Sequence, residues 1–288
     1  MASNTENVKL GVCSVTFGGV DLGYTKGGVD VTIATTTKEV MVDQFGNSPI
    51  NEIIIGRTCT AKVPLAETTM INLARIMPGA VLNGSGGAYA GATVTFVTAP
   101  PVDGDKISVN GVPFTFRTVP VSSNDIAVAS ASTIALAAAA LKVAIDNCLD
   151  PLVSQITATV LAGLVTLTAD DQGVFANAFT LTKTFVTGAN VTVTAFTGGV
   201  DANVASVTIP NGVGISLLQS AKVLVFHPQA LALDDRSEDF TMPLANTPGQ
   251  ASFGYKLDNE RVFNVDFKAY PDSATRKLFV YGDARSAA

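Results

Sequence analysis

The sequence is poor in charge, in histidine and in cysteine. Charged residues make up 15% of its 288 residues, against ~25% in a typical soluble globular protein. The 18 Lys and Arg are outnumbered by 24 Asp and Glu, for a net charge of −6, and the densest basic pair is Arg276-Lys277. Tight nucleic-acid binding is disfavoured, because phosphate neutralisation by clustered Lys and Arg supplies much of that affinity. A surface that DNA must pass without adhering is not excluded. The single histidine, His227, stands before Pro228. It assembles no recognisable Ser-His-Asp or zinc constellation, so a structural role at a strand end is the better reading. Cys13, Cys59 and Cys148 lie far apart with no C-x-x-C, a pattern that fits free thiols in a reducing cytoplasm.

The acidic groups are equally unspecific. Asp103 and Asp105, and Asp170 and Asp171, lack the fuller D-x-[DN]-x-[DN]-G calcium loop and read as turn residues. Asp234, Asp235, Glu238 and Asp239, interrupted by Arg236, read as a solvated loop. No cofactor, metal or catalytic activity is expected. The polar start MASNTENVK carries no signal-peptide pattern. Residues 126–145 (IAVASASTIALAAAALKVAI) contain one charge, Lys142, and are long enough to span a bilayer. Their Ala, Ser and Thr content, with Asp125 and Asp146 at the flanks, reads instead as a packed soluble helix, so no membrane contact is expected.

What the sequence has is β-pattern. Residues 8–16, 28–43 and 53–65 read as strands. The second alternates Val29, Val31 and Ile33 against Asp30 and Thr32, the period of a half-buried strand. Two long strands around the loop QFGNSPINE (44–52) predict a projecting hairpin. A short helix follows, with Thr68 or Thr69 as cap, Met70, Leu73, Ala74 and Met77 on one face and Pro78-Gly79 as stop. Residues 83–91 (NGSGGAYAG) read as a glycine-rich linker. They open no helix and lack the Lys-Ser/Thr pair of a phosphate loop.

From about 88 to 204 charge thins. Strand patterns fall at 92–98, 105–118, 155–168, 178–184 and 190–197, around an Ala-rich helix at about 131–147. Asn110-Gly111 signals a tight hairpin. This stretch reads as a compact α+β domain, 88–204, inserted into a mainly β domain formed by 1–87 and 205–288. In the closing piece, strand patterns appear at 222–227, 252–257, 262–270 and 276–281. Strand parity then sorts side chains. If Ile53, Ile55, Cys59 and Val63 face the core, Glu52, Thr58, Thr60 and Lys62 face away. Likewise Asn264, Asp266 and Lys268 oppose Phe263, Val265 and Phe267. A register slip of one residue reverses each set.

Three segments, GYTKGGVDVTIATTTKEVMVDQFGNSPINEIIIGRTCTAKVPLAE (23–67), LLQSAKVLVFHP (217–228) and NERVFNVDFKAYPDSATRKLFVYGD (259–283), together resemble bacteriophage tail tube (major tail) proteins. Residues 103–201 are similar to an accessory module of phage structural proteins. The resemblance implies a β-sandwich with one helix. Six copies would form a ring whose inner sheets close into a continuous barrel, and rings would stack into a tube in the virion. Genomic DNA and a tape-measure protein would pass through it, and tail initiator and terminator proteins would bound it. The hairpin would then line the lumen with Asp30, Thr32, Glu52, Thr58, Thr60, Lys62, Asn264, Asp266 and Lys268. Its loop, Gln44, Phe45, Gly46, Asn47, Ser48, Pro49, Ile50 and Asn51, would reach the neighbouring ring. An insertion can only point outward, where a contractile sheath would compete for space, which favours a non-contractile tail. The competing expectation is a virion decoration or adhesin protein that binds the host surface through the insertion.

Overall fold

The structure, a computed structural model, describes residue 9, residues 11–273 and residues 275–284. Val8 and Leu10 of the first expected strand lie outside the described residues. The chain is mainly β, with 42% strand and 13% helix. In chain order come β1 (Cys13–Phe17), β2 (Val20–Asp21), β3 (Asp30–Val40), β4 (Asn51–Leu65), α1 (Met70–Ile76) and β5 (Val81–Ser85). Next are β6 (Tyr89–Phe96), β7 (Lys106–Val109), β8 (Val112–Arg117), β9 (Asp125–Ala127), α2 (Ile134–Asp146), β10 (Ile156–Leu161), β11 (Leu164–Gln172), β12 (Leu181–Thr184), β13 (Val191–Val193) and β14 (Asn203–Thr208). The chain closes with β15 (Lys222–Pro228), β16 (Phe240–Asn246), β17 (Ala251–Ser252), β18 (Phe263–Ala269) and β19 (Val280–Tyr281).

One nine-stranded sheet has the order β2-β1-β15-β16-β18-β4-β3, with β17 on β18 and β19 on β16. It folds over its own core. The rings of Phe17 on β1 and Phe267 on β18 have centroids 5.1 Å apart, although β15 and β16 separate their strands. Three steps across a flat sheet would put them ~14 Å apart. Val15, Phe17, Leu224 and Phe226 from one half thus pack with Cys59, Val63, Val265 and Phe267 from the other. Among the described residues no sheet closes into a barrel. Helix α1 adds Ile76 to this core. The Thr69 hydroxyl caps it, accepting from Asn72 N at 3.1 Å, and the Asn72 amide donates to Leu22 O and Glu67 O at 3.0 Å.

A second, separate core lies between the sheets β10-β11-β6-β13 and β12-β7-β8-β9, with α2 against them. Phe96, Phe114, Phe116, Leu141 and Leu167 fill it. Thr133 caps α2, accepting from Leu136 N at 3.2 Å, and Ala138, Leu141 and Ile145 are its buried stripe. The β7–β8 turn places Asn110 at φ 49° and Gly111 at φ 80°, the left-handed pair that an Asn-Gly hairpin requires. Gly111→Ala is expected to cost about 1 kcal/mol, because Ala must hold the same positive φ. Denaturant titration measures this, and an unchanged midpoint would contradict the turn assignment.

The glycine-rich stretch 83–91 is not a free linker. Residues 81–85 form β5, which pairs with β14 from Val81↔Thr208 to Ser85↔Asn203, and the ribbon runs on to Ala88↔Val200. The two passages between the cores therefore lie side by side. Its glycines serve close approach rather than flexibility: a Cβ on Gly84 would sit 2.8 Å from Asn203 O, and one on Gly87 2.7 Å from Ala202 Cβ. The strand expected at 252–257 ends at Ser252, and residues 253–262 form a loop.

The second core sits on the outer face of the folded sheet at β15. Leu224 and Phe226 enter the first core, while Val223, Val225 and His227 are buried on the opposite face. A Cβ on Gly19, in the β1–β2 turn, would lie 2.6 Å from Gln155 N and 2.7 Å from Pro151 O. Because the sheet is folded over, the outer face of β15 and the outer face of β4 and β18 point in opposite directions.

Candidate functional site

The hairpin of β3 and β4 outruns the rest of the sheet. Strand β18 supports β4 only from Leu65 to Thr60, whereas β3 accompanies it out to Asn51. On the outer face the register aligns side chains in rows across three strands. Asp30, Lys62 and Asp266 form one row, and Thr32, Thr60 and Lys268 the next. Thr58 lies opposite Ala34 and Asn264 opposite Pro64. All of these except Pro64 are exposed. Opposite charges on neighbouring strands support the sheet by ~0.2–1 kcal/mol each. The two Asp and two Lys of the rows cancel, so the face is polar and nearly neutral.

Glu52 does not belong to this face. The β3–β4 register shifts between Thr36↔Gly56 and Thr37↔Ile54, which leaves Ile55 as an extra residue. A one-residue bulge reverses alternation beyond it. Glu52 therefore shares the face of Cys59 and Ala61 and accepts a hydrogen bond from Thr37 Oγ1. Lys38, opposite Ile53, replaces it on the polar face. Nor do Ile53 and Ile55 reach the core, being 51% and 63% exposed. Gly56 was the available signal, since an isolated glycine within a strand pattern marks a bulge.

The far half of the hairpin is uncovered, with Ile53, Ile54 and Ile55 exposed along it. Nearer its base Val31 and Ile33, expected to face the core, are exposed as well, because β3 is the sheet edge. Strand β3 is also the edge of the nine-stranded sheet, so one side of its 11 residues offers free backbone donors and acceptors. A long edge with exposed apolar neighbours is a template for pairing with another chain. At the tip, Asp43–Phe45 make one 3-10 turn and Gly46 takes φ 60°. Ser48 N donates to Phe45 O at 3.3 Å and Ile50 N to Val40 O at 2.9 Å. Residues 43–52, which hold the whole expected loop, are exposed, and its last two residues, Asn51 and Glu52, already belong to β4.

A buried polar cluster joins the two cores. His227 Nδ1 lies 2.6 Å from Asp239 Oδ1. Arg236 Nη1 donates to Asp239 Oδ2 at 3.2 Å, and its Nη2 lies 3.8 Å from Asp150 Oδ1. His227, for which the sequence showed no partner, is thus paired with a buried carboxylate at the end of β15. Asp239 and Arg236, expected in a solvated loop, are 3% and 8% exposed. The correction has a physical cause: Leu149, Asp150, Pro151, Asp283 and Ala284 close around them, and a covered guanidinium requires carboxylates. Their alternation in DDRSED was the visible hint. Arg75 of α1 makes a second link to Asp171 at 2.7 Å. Of the remaining acidic groups, Asp103 accepts from Thr118 N at 2.6 Å and Asp105 from Val186 N at 2.8 Å, both as turn and loop ties.

Burial raises the thiol pKa of Cys59 and of Cys13 above the ordinary 9.0. Thiolate is the reactive form, so both are expected to react more slowly with a thiol reagent at pH 8 than in denaturant. The folded pKa exceeds the unfolded one. The associated stability is therefore full below the ordinary thiol value and is lost as pH rises through the raised value. Rapid stoichiometric labelling of native protein would contradict this. Among the described residues no group of three or more His, Cys, Asp and Glu could hold a metal. No helix among them is long and apolar enough to cross a membrane. No family model matches the chain, and no curated protein matches it.

Proposed function

We propose that the chain is a structural subunit of a bacteriophage tail tube, without catalytic activity. Six copies close into a ring, rings stack, and genomic DNA and a tape-measure protein pass through the bore. The observation that carries this reading is the β3–β4 hairpin, long, apolar on its flanks, and exposed along an unpaired edge. Such a hairpin gains a partner when the sheet continues across subunits, because closure removes the free edge. The near-neutral polar face of β3, β4 and β18 suits a surface that DNA slides past, since a basic face would retain it. The second core lies on the opposite side of the folded sheet, where an outward position leaves that face clear. The expected result from negative-stain images of concentrated protein is hollow six-fold rings and short tubes. A monomer at every concentration, even beside a tail initiator complex, would sink the reading.

A further inference from the structure

Three asparagines are followed by glycine: Asn83, Asn110 and Asn211. An asparagine side chain in this setting is open to attack by the next backbone nitrogen, because glycine puts no Cβ in the way. The attacking nitrogen must be free, and the side-chain carbonyl carbon must come to a near-attack distance of ~3–3.5 Å. The three sites meet these demands differently.

Asn110 is held at both ends of its amide. Its Nδ2 donates to Leu152 O at 2.7 Å, and its Oδ1 accepts from Thr180 N at 2.9 Å. Both partners lie outside the β7–β8 turn, so two hydrogen bonds must break before the side chain can move over Gly111. Asn83 lies in β5, and its Nδ2 donates across the ribbon to Ser206 Oγ at 3.1 Å and Thr208 Oγ1 at 2.7 Å. Gly84 follows it in the same strand, opposite Val204, and a pleated strand turns side chains out of the line of the backbone.

Asn211 has neither restraint. It stands exposed in the loop 209–221. Gly212 takes φ 77°, and a Cβ there would meet nothing nearer than Ile215 Cδ1 at 4.0 Å. The Asn211 Oδ1 accepts from Val213 N at 3.1 Å. That bond closes a ring around the Gly212 peptide, so it lays the side-chain carbonyl along the nitrogen that attacks. It also polarises the carbonyl carbon and stabilises the negative oxygen that attack creates. Among the described residues Gly212 N donates to nothing.

We propose that Asn211 is a site of spontaneous deamidation, in preference to Asn83 and Asn110. Gly212 N, losing its proton to hydroxide, bonds to Asn211 Cγ. The Cγ–Nδ2 bond breaks, the nitrogen leaves as ammonia, and a cyclic imide closes. Water then opens the imide. Addition at Cγ gives aspartate. Addition at the backbone carbonyl gives isoaspartate, in which the chain runs through Cβ and Cγ. Nothing is oxidised or reduced. Either product puts a carboxylate into the stretch from Ala202 to Ala221, which has no charged residue and carries exposed Ile209, Val213 and Leu218. A charge there opposes apolar contact on that patch. This reactivity belongs to the single chain and is independent of the tube reading.

The test ages full-length protein in mildly alkaline buffer, one sample native and one in urea, and maps its peptides by mass spectrometry. Isoaspartate, which direct hydrolysis of the amide cannot form, reports the imide route. In native protein Asn211 should convert on the order of ten-fold faster than Asn110 or Asn83, as expected for two side-chain hydrogen bonds that must first break. In urea the three rates should converge, because each site is then an Asn-Gly pair in an unfolded chain. Native conversion at Asn83 or Asn110 that equals or outpaces Asn211 would overturn the proposal. So would an intact native Asn211 while the urea sample converts, or aspartate at Asn211 without isoaspartate. A lead of Asn211 that persists unchanged in urea also overturns it, because the fold would then not set the order.

Discussion

Arg236→Met is expected to lower the stability of the chain by about 3 kcal/mol, because it strips a buried guanidinium from two carboxylates that stay buried. Arg236 Nη1 holds Asp239 at 3.2 Å, and its Nη2 faces Asp150 at 3.8 Å from the other core. Both carboxylates are buried, Asp150 and Asp239 each 3% exposed. The loss should be visible as an earlier denaturant midpoint by circular dichroism. Pairing the change with Asp239→Asn tests the cause. If the network carries the effect, the double variant loses less than the sum of the single losses, since groups in one network are not additive. A loss under about 0.5 kcal/mol, in the range of a surface substitution, would mean the cluster is an incidental contact between two independent units. Removal of residues 88–204 therefore also exposes His227, Arg236 and Asp239. A shortened chain should fold more readily when these three are replaced by small polar residues than when they are kept.

Replacing residues 45–50 with a short Gly-Ser turn has the largest expected effect on assembly. Among the described residues the tip makes only local backbone hydrogen bonds, between Val40 and Ile50, so the single chain should keep its circular dichroism spectrum and its midpoint. What disappears is Phe45 and Ile50, 66% and 51% exposed, whose burial at ~25 cal/mol per Å² would otherwise drive contact. Stacking should collapse while ring closure, which depends on the β3 edge, survives. Tubes of normal length from this variant would move the stacking contact to another surface.

Much of this architecture was legible in the order of side chains. Strict alternation in β18, the turn residues at 46–49, Asn110-Gly111 and the Ala-rich stripe of α2 each carry their own local physics, whereas β3, expected to be half-buried, is exposed on both faces because it is the sheet edge. What escaped reading depends on partners distant in sequence. β16 is interrupted by Pro243, which argues against a central strand. The β15–β16 register slips at that position, between Lys222↔Ala245 and Leu224↔Met242, and a bulge is where a residue without an N–H is tolerated. The glycines at 84 and 87 look like a linker until the approach of Asn203 and Ala202 is known. Glu52 fell on the wrong face because parity was carried through three isoleucines and a glycine without allowing for an extra residue. Arg236 and Asp239 looked solvated because a sequence does not show which loop the second core will cover. The candidate surface itself was half legible: the polar rows of β4 and β18 followed from alternation, while the exposure of Ile53, Ile54 and Ile55 followed only from where β18 stops.

The most direct test is a reconstruction of the assembled particle from electron micrographs at a resolution that separates strands. The account expects the face carrying Asp30, Thr32, Thr58, Thr60, Lys62, Asp266 and Lys268 to line a hollow bore, with strand β3 paired to a neighbouring copy and residues 88–204 outside. A particle with residues 88–204 at its centre, or with β3 unpaired at its surface, would contradict it.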